Sequence, residues 1–459
     1  MGIHEENRNL EDIDRQYVWH PFTQMKDWVA EKPVIISEGK DCFLKDIYGN
    51  WYLDGVSSLW VNIHGHRKKE IDDAIKAQLD HVAHSTMLGL SNVPAIRLAE
   101  RLVQCINSTL NTHHSSPNKV FYSDNGSTAV EVALKMAFQY WIHRGQERRT
   151  AFVSLTNAYH GDTLGAVSVG GIDIFHKVFS PLLFKTYRAP SPHCYRCALD
   201  LTYPDCGLAC LRKMEGILAE NAGTIAAVII EPIVQAAGGM IVSPPGYLKG
   251  VRELCTKYDV LMIADEVATG FGRTGKMFAC AHEELAPDIL CLSKGITGGY
   301  LPLAVTVATE EIYQAFLGEF RDLKTLFHGH SYTGNPLGCA AALACLDLFE
   351  RDSILKALGP KIAMLDSFLA DISGHDRVGN VRSKGLMAGI ELVKHKATKE
   401  PYPWEDRMGW RVCHHAKERG VLIRPLGNVV VIMPPLAIST ENLEQLLKVI
   451  GEGIRKSTE

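Results

Sequence analysis

The chain has 459 residues, more than one ordinary hydrophobic core accommodates, so we expect two domains, or one large domain and one small one. Hydrophobic residues make up 46% of the sequence and charged residues 22%, the proportions of a soluble globular protein. The net charge of −4 gives no electrostatic reason to expect a nucleic acid or an anionic membrane as partner.

The cellular location is predicted from the N-terminus, the apolar runs and the cysteines. Residues 1–8 are polar and lack the apolar centre of a secretory signal. No uninterrupted apolar stretch approaches the roughly 18 residues that span a bilayer. The 12 cysteines lie mainly in strand-like and helix-like runs, as reduced thiols do. We therefore expect a cytoplasmic protein of enzyme size.

The first sixty residues contain aromatic and proline clusters, such as the sequence WHPF at residues 19–22. These clusters are too short to form a core of their own. We predict that residues 1–60 form an N-terminal segment, which packs on the small domain or across a subunit boundary.

Between residues 120 and 309, strand-like runs alternate with amphipathic helical segments such as residues 128–141. The strand-like runs are almost continuously apolar, which predicts an α/β fold with a mostly parallel sheet covered by helices on both faces. The predicted strands are residues 120–123, 151–155, 225–230, 260–263, 289–292 and 303–308.

The last hundred residues have a different pattern. A helical segment at residues 354–370 is followed by three strand-like runs and a closing helix at 441–454. The runs are residues 378–381, 386–393 and 429–433. This order predicts a small α+β domain over residues 351–459 and leaves residues 61–350 for the large domain.

Lys294 and Asp265 each follow a short apolar run and precede small residues. A buried parallel strand delivers a side chain in this way to the carboxyl edge of the sheet, where open α/β folds bind ligands. A lysine amine can condense with the aldehyde of pyridoxal phosphate, and a carboxylate can keep the pyridine nitrogen protonated so that the ring accepts electrons. The pair predicts a pyridoxal-phosphate site.

Gly126 and Ser127 link a predicted strand to a predicted helix. Gly126 permits a tight turn, while exposed amides and the Ser127 hydroxyl at a helix N-terminus favour a phosphate. A capping box with Thr128 three residues before Glu131 explains the same residues equally well. The segment alone leaves both interpretations open.

Other side chains near predicted strand ends are candidates for the same site. Tyr159 could stack on a flat cofactor ring or lie in an ordinary turn, and Glu231 could serve the site or cap a helix. Glu266 should face away from Asp265, because neighbouring strand residues point to opposite faces. Val267 should point with Asp265 and could pack on the face of the ring opposite Tyr159.

Two further segments suggest binding without defining a ligand. Residues 328–336 combine glycine and hydroxyl side chains before a small-residue helix at 337–348, a composition that favours anions but is common in loops. A cysteine cluster could form a structural zinc knuckle or remain as free thiols in a surface excursion, and no catalytic metal is predicted. Its members are Cys194, Cys197, Cys206 and Cys210.

Longer motifs resemble those of a known family. The sequence DEVATGFGRTG at residues 265–275, followed by SKGITGG at 293–299, resembles the signature of class III pyridoxal-phosphate aminotransferases. Matching motifs run nearly end to end: WHPF at 19–22, SSLW at 57–60, IHG at 63–65, EVALKMAFQYW at 131–141, YHGD at 159–162 and HG at 328–329. The resemblance implies fold type I, with a large domain around a mostly parallel sheet and a small C-terminal α+β domain.

The resemblance also implies roles for individual residues. Lys294 would hold pyridoxal phosphate covalently and move the reacting proton, and Asp265 would pair with the pyridine nitrogen. The implied cofactor-binding residues are Gly126, Ser127, Tyr159, Glu231, Asp265, Val267, Lys294, His330 and Ser331. Of these, His330 and Ser331 would reach the phosphate from the partner subunit of a homodimer with active sites at the interface.

The implied substrate-binding residues are Phe22, Leu59, Trp60, Tyr159, Gly329 and Arg424. The Arg424 guanidinium would receive the substrate carboxylate, since it can bind one with two parallel hydrogen bonds. A structural arginine that tethers the small domain is the alternative.

Within the class, the motifs are most similar to the branch that aminates 8-amino-7-oxononanoate in biotin synthesis. The alternatives are a broad ω-amine:pyruvate aminotransferase of the same class and an aminomutase of the same fold. Two positions depart from the branch: Phe22 stands where most members have tyrosine, and Leu59 where most have tryptophan. The loss of a hydroxyl and an indole favours lysine over S-adenosylmethionine, the usual donor of this branch and a bulky cation.

Overall fold

The computed structural model describes residues 3–110 and 117–459, with side chains from residue 8 onward. Met1 and Gly2, the start of the polar N-terminal octet, lie outside the described residues. The helices are α1 (Ile3–Tyr17), α2 (Met25–Ala30), α3 (Ser57–Trp60), α4 (Lys69–Leu79), α5 (Val93–Leu110), α6 (Gly126–His143), α7 (Leu164–Val169), α8 (Asp173–His176), α9 (Ala209–Asn221), α10 (Tyr247–Lys257), α11 (Glu310–Ala315), α12 (Pro336–Arg351), α13 (Ile354–Ser373), α14 (Met408–Glu418) and α15 (Thr440–Thr458).

The strands run through the whole chain and form three larger sheets and one small hairpin. They are β1 (Ile36–Lys40), β2 (Phe43–Asp46), β3 (Trp51–Asp54), β4 (Lys119–Ser123), β5 (Ala151–Leu155), β6 (Thr186–Ala189), β7 (Ile225–Ile230), β8 (Val234–Gln235), β9 (Ile241–Val242), β10 (Leu261–Asp265), β11 (Ile289–Leu292), β12 (Ala304–Ala308), β13 (Val378–Lys384), β14 (Met387–His395), β15 (Glu400–Pro401), β16 (Val421–Leu422), β17 (Pro425–Leu426) and β18 (Val429–Ile432).

The central sheet has seven strands in the order β4-β12-β11-β10-β7-β5-β6. Strand β12 runs antiparallel to both of its neighbours, and the other pairs are parallel. Strands β7, β10 and β11 are buried along their whole length, which explains their continuous apolar sequences. The predicted α/β fold with a mostly parallel sheet is confirmed.

One strand of this sheet was not predicted. Strand β6 lies at the edge of the sheet, and three of its four residues are only half-buried. Its sequence, TYRA, lacks the apolar run that marks a buried strand. Edge position therefore explains why the sequence pattern missed it.

Helix α6 packs on the central sheet through nine buried side chains, including Val130, Ala137 and Trp141. The Trp141 indole N–H donates to Ala226 O of β7 at 2.8 Å, so the end of the helix is also fixed to the sheet by a hydrogen bond. The helix is two residues longer at each end than predicted.

The C-terminal part forms a second, antiparallel sheet in the order β13-β14-β18-β17, with β15 beside β14. Helices α13, α14 and α15 accompany it. The N-terminal strands β1, β2 and β3 form a separate sheet that is completed by β16, where Leu53 pairs with Val421. This parallel pairing joins the N-terminal segment to the C-terminal part of the chain. In residues 3–110 and 117–459, no helix is both long and apolar enough to cross a bilayer.

Candidate active site

A cavity of about 660 Å³ opens at the carboxyl edge of the central sheet. Its walls come from the segments that follow β4, β5, β7, β10 and β11, as expected for an open α/β sheet. The predicted site residues among its lining are Trp60, Gly126, Ser127, Tyr159, Glu231, Asp265, Val267 and Lys294.

Asp265 and Lys294 face the cavity from neighbouring parallel strands, because Asp265 ends β10 opposite Cys291 of β11. Lys294 has a φ of 48°, a left-handed conformation that is uncommon for a residue other than glycine and that clusters at functional sites. Burial lowers the pKa of Lys294, while the carboxylates of Asp265 and Glu231 oppose the shift. A lowered pKa increases the fraction of neutral, nucleophilic amine.

The Asp265 carboxylate is fixed from two sides. Its Oδ1 accepts the Val267 N–H at 3.1 Å, and its Oδ2 lies 2.7 Å from Nδ1 of His160. The His160 side chain is fully buried, and its Nε2 has no hydrogen-bond partner among the described residues. His160 was not predicted as a site residue, although it adjoins Tyr159 in the matched motif. It is a positioning residue for Asp265.

Glu231 joins two walls of the cavity. Its Oε1 accepts the Tyr159 N–H at 3.0 Å and its Oε2 accepts the Ala236 N–H at 2.9 Å. Burial raises the pKa of Glu231 to about 7. The carboxyl group therefore fixes the backbone that carries the Tyr159 ring.

Tyr159 forms part of the cavity wall. Its hydroxyl donates to Asp162 Oδ2 at 2.7 Å, and its ring lies 6.3 Å from that of His176 at an interplanar angle of 10°. Glu266 faces away, as strand alternation predicts, and its carboxylate accepts the N–H groups of Ala279 and Cys280 at 2.6 and 2.8 Å.

The N-terminus of α6 forms the corner of the cavity that suits a phosphate. The Asn125 side chain caps the helix by accepting the Thr128 N–H at 3.1 Å, so the capping box is Asn125 with Thr128 rather than Thr128 with Glu131. The amides of Gly126 and Ser127 have no acceptor within the helix and remain for an anion. Glu131 instead accepts the N–H of Gly165 at 2.7 Å.

Close packing explains why residue 126 is glycine. A Cβ there would lie 2.6 Å from Cγ1 of Val267, which also lines the cavity. Ser127 Oγ accepts the Asp162 N–H at 3.0 Å, which ties the helix to the segment after β5. A lysine amine, a fixed carboxylate and a helix N-terminus around one cavity fit the aldehyde, the ring nitrogen and the phosphate of pyridoxal phosphate.

Phe22, Leu59 and Arg424 are not among the residues that line the cavity. Phe22 is 54% exposed, and its ring meets that of Phe175 edge-on at 5.3 Å. Arg424 donates from Nη2 to the Phe22 carbonyl at 3.2 Å, so these two predicted substrate residues are adjacent. Leu59 is 51% exposed beside Trp60, which does line the cavity.

The loop with Gly329, His330 and Ser331 also lies outside the lining of the cavity in the single chain. Gly329 and Ser331 are exposed. His330 Nε2 lies 4.0 Å from Oδ1 of Asp124, which does line the cavity. The loop therefore reaches the rim and not the phosphate corner of its own chain.

The four clustered cysteines are free thiols, with Cys194 exposed and the other three half-buried. Within residues 3–110 and 117–459, no group of three or more potential ligands is arranged to hold a metal ion.

Comparison with known proteins places the chain in a family. The sequence model described as aminotransferase class-III matches residues 25–454. Adenosylmethionine-8-amino-7-oxononanoate aminotransferase from Geobacter sulfurreducens is 56% identical over 453 residues, covering 98% of each chain. The protein of that name from Methanocaldococcus jannaschii is 49% identical over 459 residues, covering 98% of each chain.

Solved structures agree with the sequence comparison. The crystal structure of the Methanocaldococcus jannaschii protein matches with a TM-score of 0.92 and 48% identity, covering 98% of this chain and 99% of that one. A pyridoxal-phosphate-bound amine transaminase from an uncultivated Pseudomonas species matches with a TM-score of 0.90 and 37% identity, covering 96% and 99%. The chain therefore belongs to the class III aminotransferases and is a pyridoxal-phosphate-dependent enzyme.

Proposed function

We propose that the enzyme transfers an amino group to 8-amino-7-oxononanoate and so forms 7,8-diaminononanoate in biotin synthesis. The observation that carries this proposal is the near full-length similarity to relatives that bear that substrate in their names, at 56% to 46% identity. A cavity at the carboxyl edge of the sheet, with Lys294 and Asp265 on neighbouring strands, supports it.

We propose that Lys294 and Asp265 are the catalytic residues. Bound pyridoxal phosphate supplies an electron sink that stabilises negative charge at the substrate carbon. The Lys294 amine would take the proton from the substrate carbon as general base and return it, as general acid, to the carbon that was the cofactor's aldehyde. Asp265 keeps the pyridine nitrogen protonated, and His160 holds the Asp265 carboxylate in place at 2.7 Å.

The remaining lining residues bind and orient the cofactor. The first-turn amides of α6 at Gly126 and Ser127 would bind its phosphate, and Tyr159 and Val267, which also line the cavity, would hold its ring. Glu231 fixes the Tyr159 backbone, as its hydrogen bond of 3.0 Å indicates.

Substrate recognition is assigned to Arg424, Phe22, Leu59, Trp60 and Gly329. The Arg424 guanidinium binds the substrate carboxylate, for which a planar fork of donors is suited. Among the described residues it makes one side-chain hydrogen bond, to the Phe22 carbonyl at 3.2 Å, which leaves further donors for a ligand.

We propose a homodimer in which His330 and Ser331 complete the phosphate site of the partner. Large apolar side chains are exposed in the single chain, an arrangement typical of a subunit interface: Leu88, Phe320, Phe327 and Tyr332. We also propose a cytoplasmic location, in which the 12 free thiols remain reduced.

Lysine is the proposed amino donor. Phe22 and Leu59 lack the hydroxyl and the indole that would favour S-adenosylmethionine. The names of the relatives favour S-adenosylmethionine instead. Stopped-flow absorbance of the holoenzyme with each donor alone decides between them: we expect the cofactor band to disappear rapidly with lysine. A rapid change with S-adenosylmethionine and none with lysine contradicts the donor assignment and leaves the acceptor untouched.

The second candidate is a broad ω-amine:pyruvate aminotransferase. An ω-transaminase from Thermomicrobium roseum matches with a TM-score of 0.92 and 32% identity, so the scaffold suits both reactions. The ratio of kcat/KM for 8-amino-7-oxononanoate to that for pyruvate separates them. We expect a ratio far above one, and a ratio below one supports the second candidate.

A further inference from the structure

The chain between β3 and the cavity makes a turn that residues other than glycine rarely adopt. Ser57, Ser58, Leu59 and Trp60 have φ values of 51°, 47°, 72° and 71°. The Trp60 N–H donates to Val56 O at 2.8 Å, which closes one turn of left-handed helix. Such a turn persists only where surrounding contacts over-determine it.

Asp54 provides the first of these contacts. Its Oδ1 accepts the Ser58 N–H at 2.9 Å, and its Oδ2 accepts the Ser58 hydroxyl at 2.7 Å. His66 Nε2 lies 3.1 Å from the same Oδ2. Asp54 is only 1% exposed, so water does not compete for these bonds.

Arg273 provides the second contact and links distant parts of the chain. Its guanidinium is buried and donates to Ser57 Oγ at 3.1 Å, Pro434 O at 2.7 Å and Asn62 O at 2.8 Å. The Ser57 hydroxyl donates in turn to Met433 O at 2.6 Å. Arg273 thus joins Ser57, at the start of the left-handed turn, and Asn62, two residues after its end, to the segment after β18.

Trp60, the last residue of the turn, faces the site. Trp60 is 7% exposed and lines the cavity, and its ring centroid lies 5.0 Å from Lys294 Nζ. Its indole N–H has no hydrogen-bond partner among the described residues. Neither Asp54 nor Arg273 lines the cavity, and both hold the turn that carries Trp60.

We propose that Asp54 and Arg273 are positioning residues that hold the left-handed turn and thereby set the Trp60 ring as a wall of the substrate cavity. The inference rests on the proposed role of Trp60 in substrate binding. The side chains of Ser57 and Ser58 hydrogen-bond to the residues that hold the turn. The turn places Leu59 at the surface and Trp60 in the cavity wall.

The backbone conformation is tested by comparing Leu59→Gly with Leu59→Ala in the holoenzyme. In a right-handed helix alanine is the better residue, whereas a left-handed position favours glycine. We expect a higher Tm for Leu59→Gly than for Leu59→Ala. The same pair at Phe138, inside α6 and 40% exposed, should show the opposite order. Equal or higher stability of Leu59→Ala overturns the proposal.

The positioning role is tested by a double-mutant cycle of Asp54→Asn and Trp60→Ala, with KM for 8-amino-7-oxononanoate as readout. We expect Asp54→Asn to raise KM several-fold in the native background and to have little further effect once Trp60 is alanine, because the two substitutions act through one wall. Asp46→Asn is the matched control: Asp46 is 5% exposed and accepts the N–H groups of Tyr48 and Asn50, each at 2.9 Å, in the β2–β3 turn. The control should lower Tm and leave KM unchanged.

The outcomes separate this inference from the function on which it rests. Additive effects of Asp54→Asn and Trp60→Ala overturn the positioning role alone. An unchanged KM in Trp60→Ala overturns both the wall assignment and the inference.

Discussion

Lys294 combines three features that suit it to covalent chemistry: a strand-end position, a left-handed backbone and a buried amine. Burial lowers its pKa, and Asp265 on the neighbouring strand limits the shift. Ordinary surface lysines are not subject to these opposing effects on the pKa, because solvent keeps their amines protonated.

The substitution Lys294→Ala removes the amine that is proposed to bind the cofactor and to move the proton. We expect kcat/KM to fall by several orders of magnitude while the fold is retained. Borohydride should fix the cofactor to the native chain at Lys294 and should not label the variant. Substantial turnover in the variant, or labelling of another lysine, contradicts the assignment.

Glu231 gives the apoprotein a specific dependence of stability on pH. Its folded pKa of about 7 lies above the ordinary glutamate pKa of 4.5, so the folded state binds more protons than the unfolded state between these values. The stability contributed by this group is fully present below about pH 4.5 and is lost as pH rises towards 7, by about 3 kcal/mol in total.

The variant Glu231→Gln cannot titrate and should not show this loss. We expect the stability of Glu231→Gln relative to the native apoprotein to increase between pH 5 and pH 8, as measured by urea unfolding at each pH. A difference that stays constant over this range shows that Glu231 does not titrate as inferred.

At the scale of elements, two short backbone features define the site: the N-terminus of α6 and the left-handed turn of α3. A left-handed conformation costs roughly 1–2 kcal/mol for each residue other than glycine, so α3 depends on the contacts that hold it. Helix α6 begins at Gly126, where the backbone passes close to Val267.

Gly126→Ala tests the close approach at the start of α6. The added Cβ would lie 2.6 Å from Val267 Cγ1, so one of the two segments must move and the phosphate corner is distorted. We expect cofactor affinity to fall at least tenfold, as measured by fluorescence titration of the apoprotein. Gly216→Ala inside α9 is the control, because nothing lies within 4 Å of its added Cβ.

The control should behave as a simple helix substitution. We expect Gly216→Ala to raise stability by up to about 1 kcal/mol without changing cofactor affinity. If cofactor affinity is unchanged in Gly126→Ala, this glycine does not shape the phosphate corner.

For the whole molecule, the large sheet was predictable from sequence and parts of the site were not. Continuous apolar runs identified the buried strands and placed Asp265 and Lys294 on one sheet edge. His160 was not predicted, because no sequence pattern identifies a histidine that contacts a carboxylate 105 residues away in sequence. The α3 turn contains no glycine, the usual sequence signal for a left-handed backbone, and Arg273 binds groups brought together only by folding.

The proposed homodimer makes cofactor binding depend on association. If Ser331 completes the phosphate site of the partner, dilution below the dimer dissociation constant should weaken cofactor binding, by mass action. Ser331→Ala should weaken cofactor binding several-fold without changing the sedimentation coefficient. A fully active monomer in sedimentation velocity contradicts the shared site.

The central claim is that the enzyme aminates 8-amino-7-oxononanoate through Lys294. The most direct measurement incubates the holoenzyme with this acceptor and lysine labelled with ¹⁵N at both amino groups, then detects the product by mass spectrometry. We predict that the native enzyme forms 7,8-diaminononanoate carrying one ¹⁵N atom. The Lys294→Ala variant should form no 7,8-diaminononanoate. Amination of pyruvate without amination of 8-amino-7-oxononanoate, with S-adenosylmethionine also tried as donor, would contradict the account.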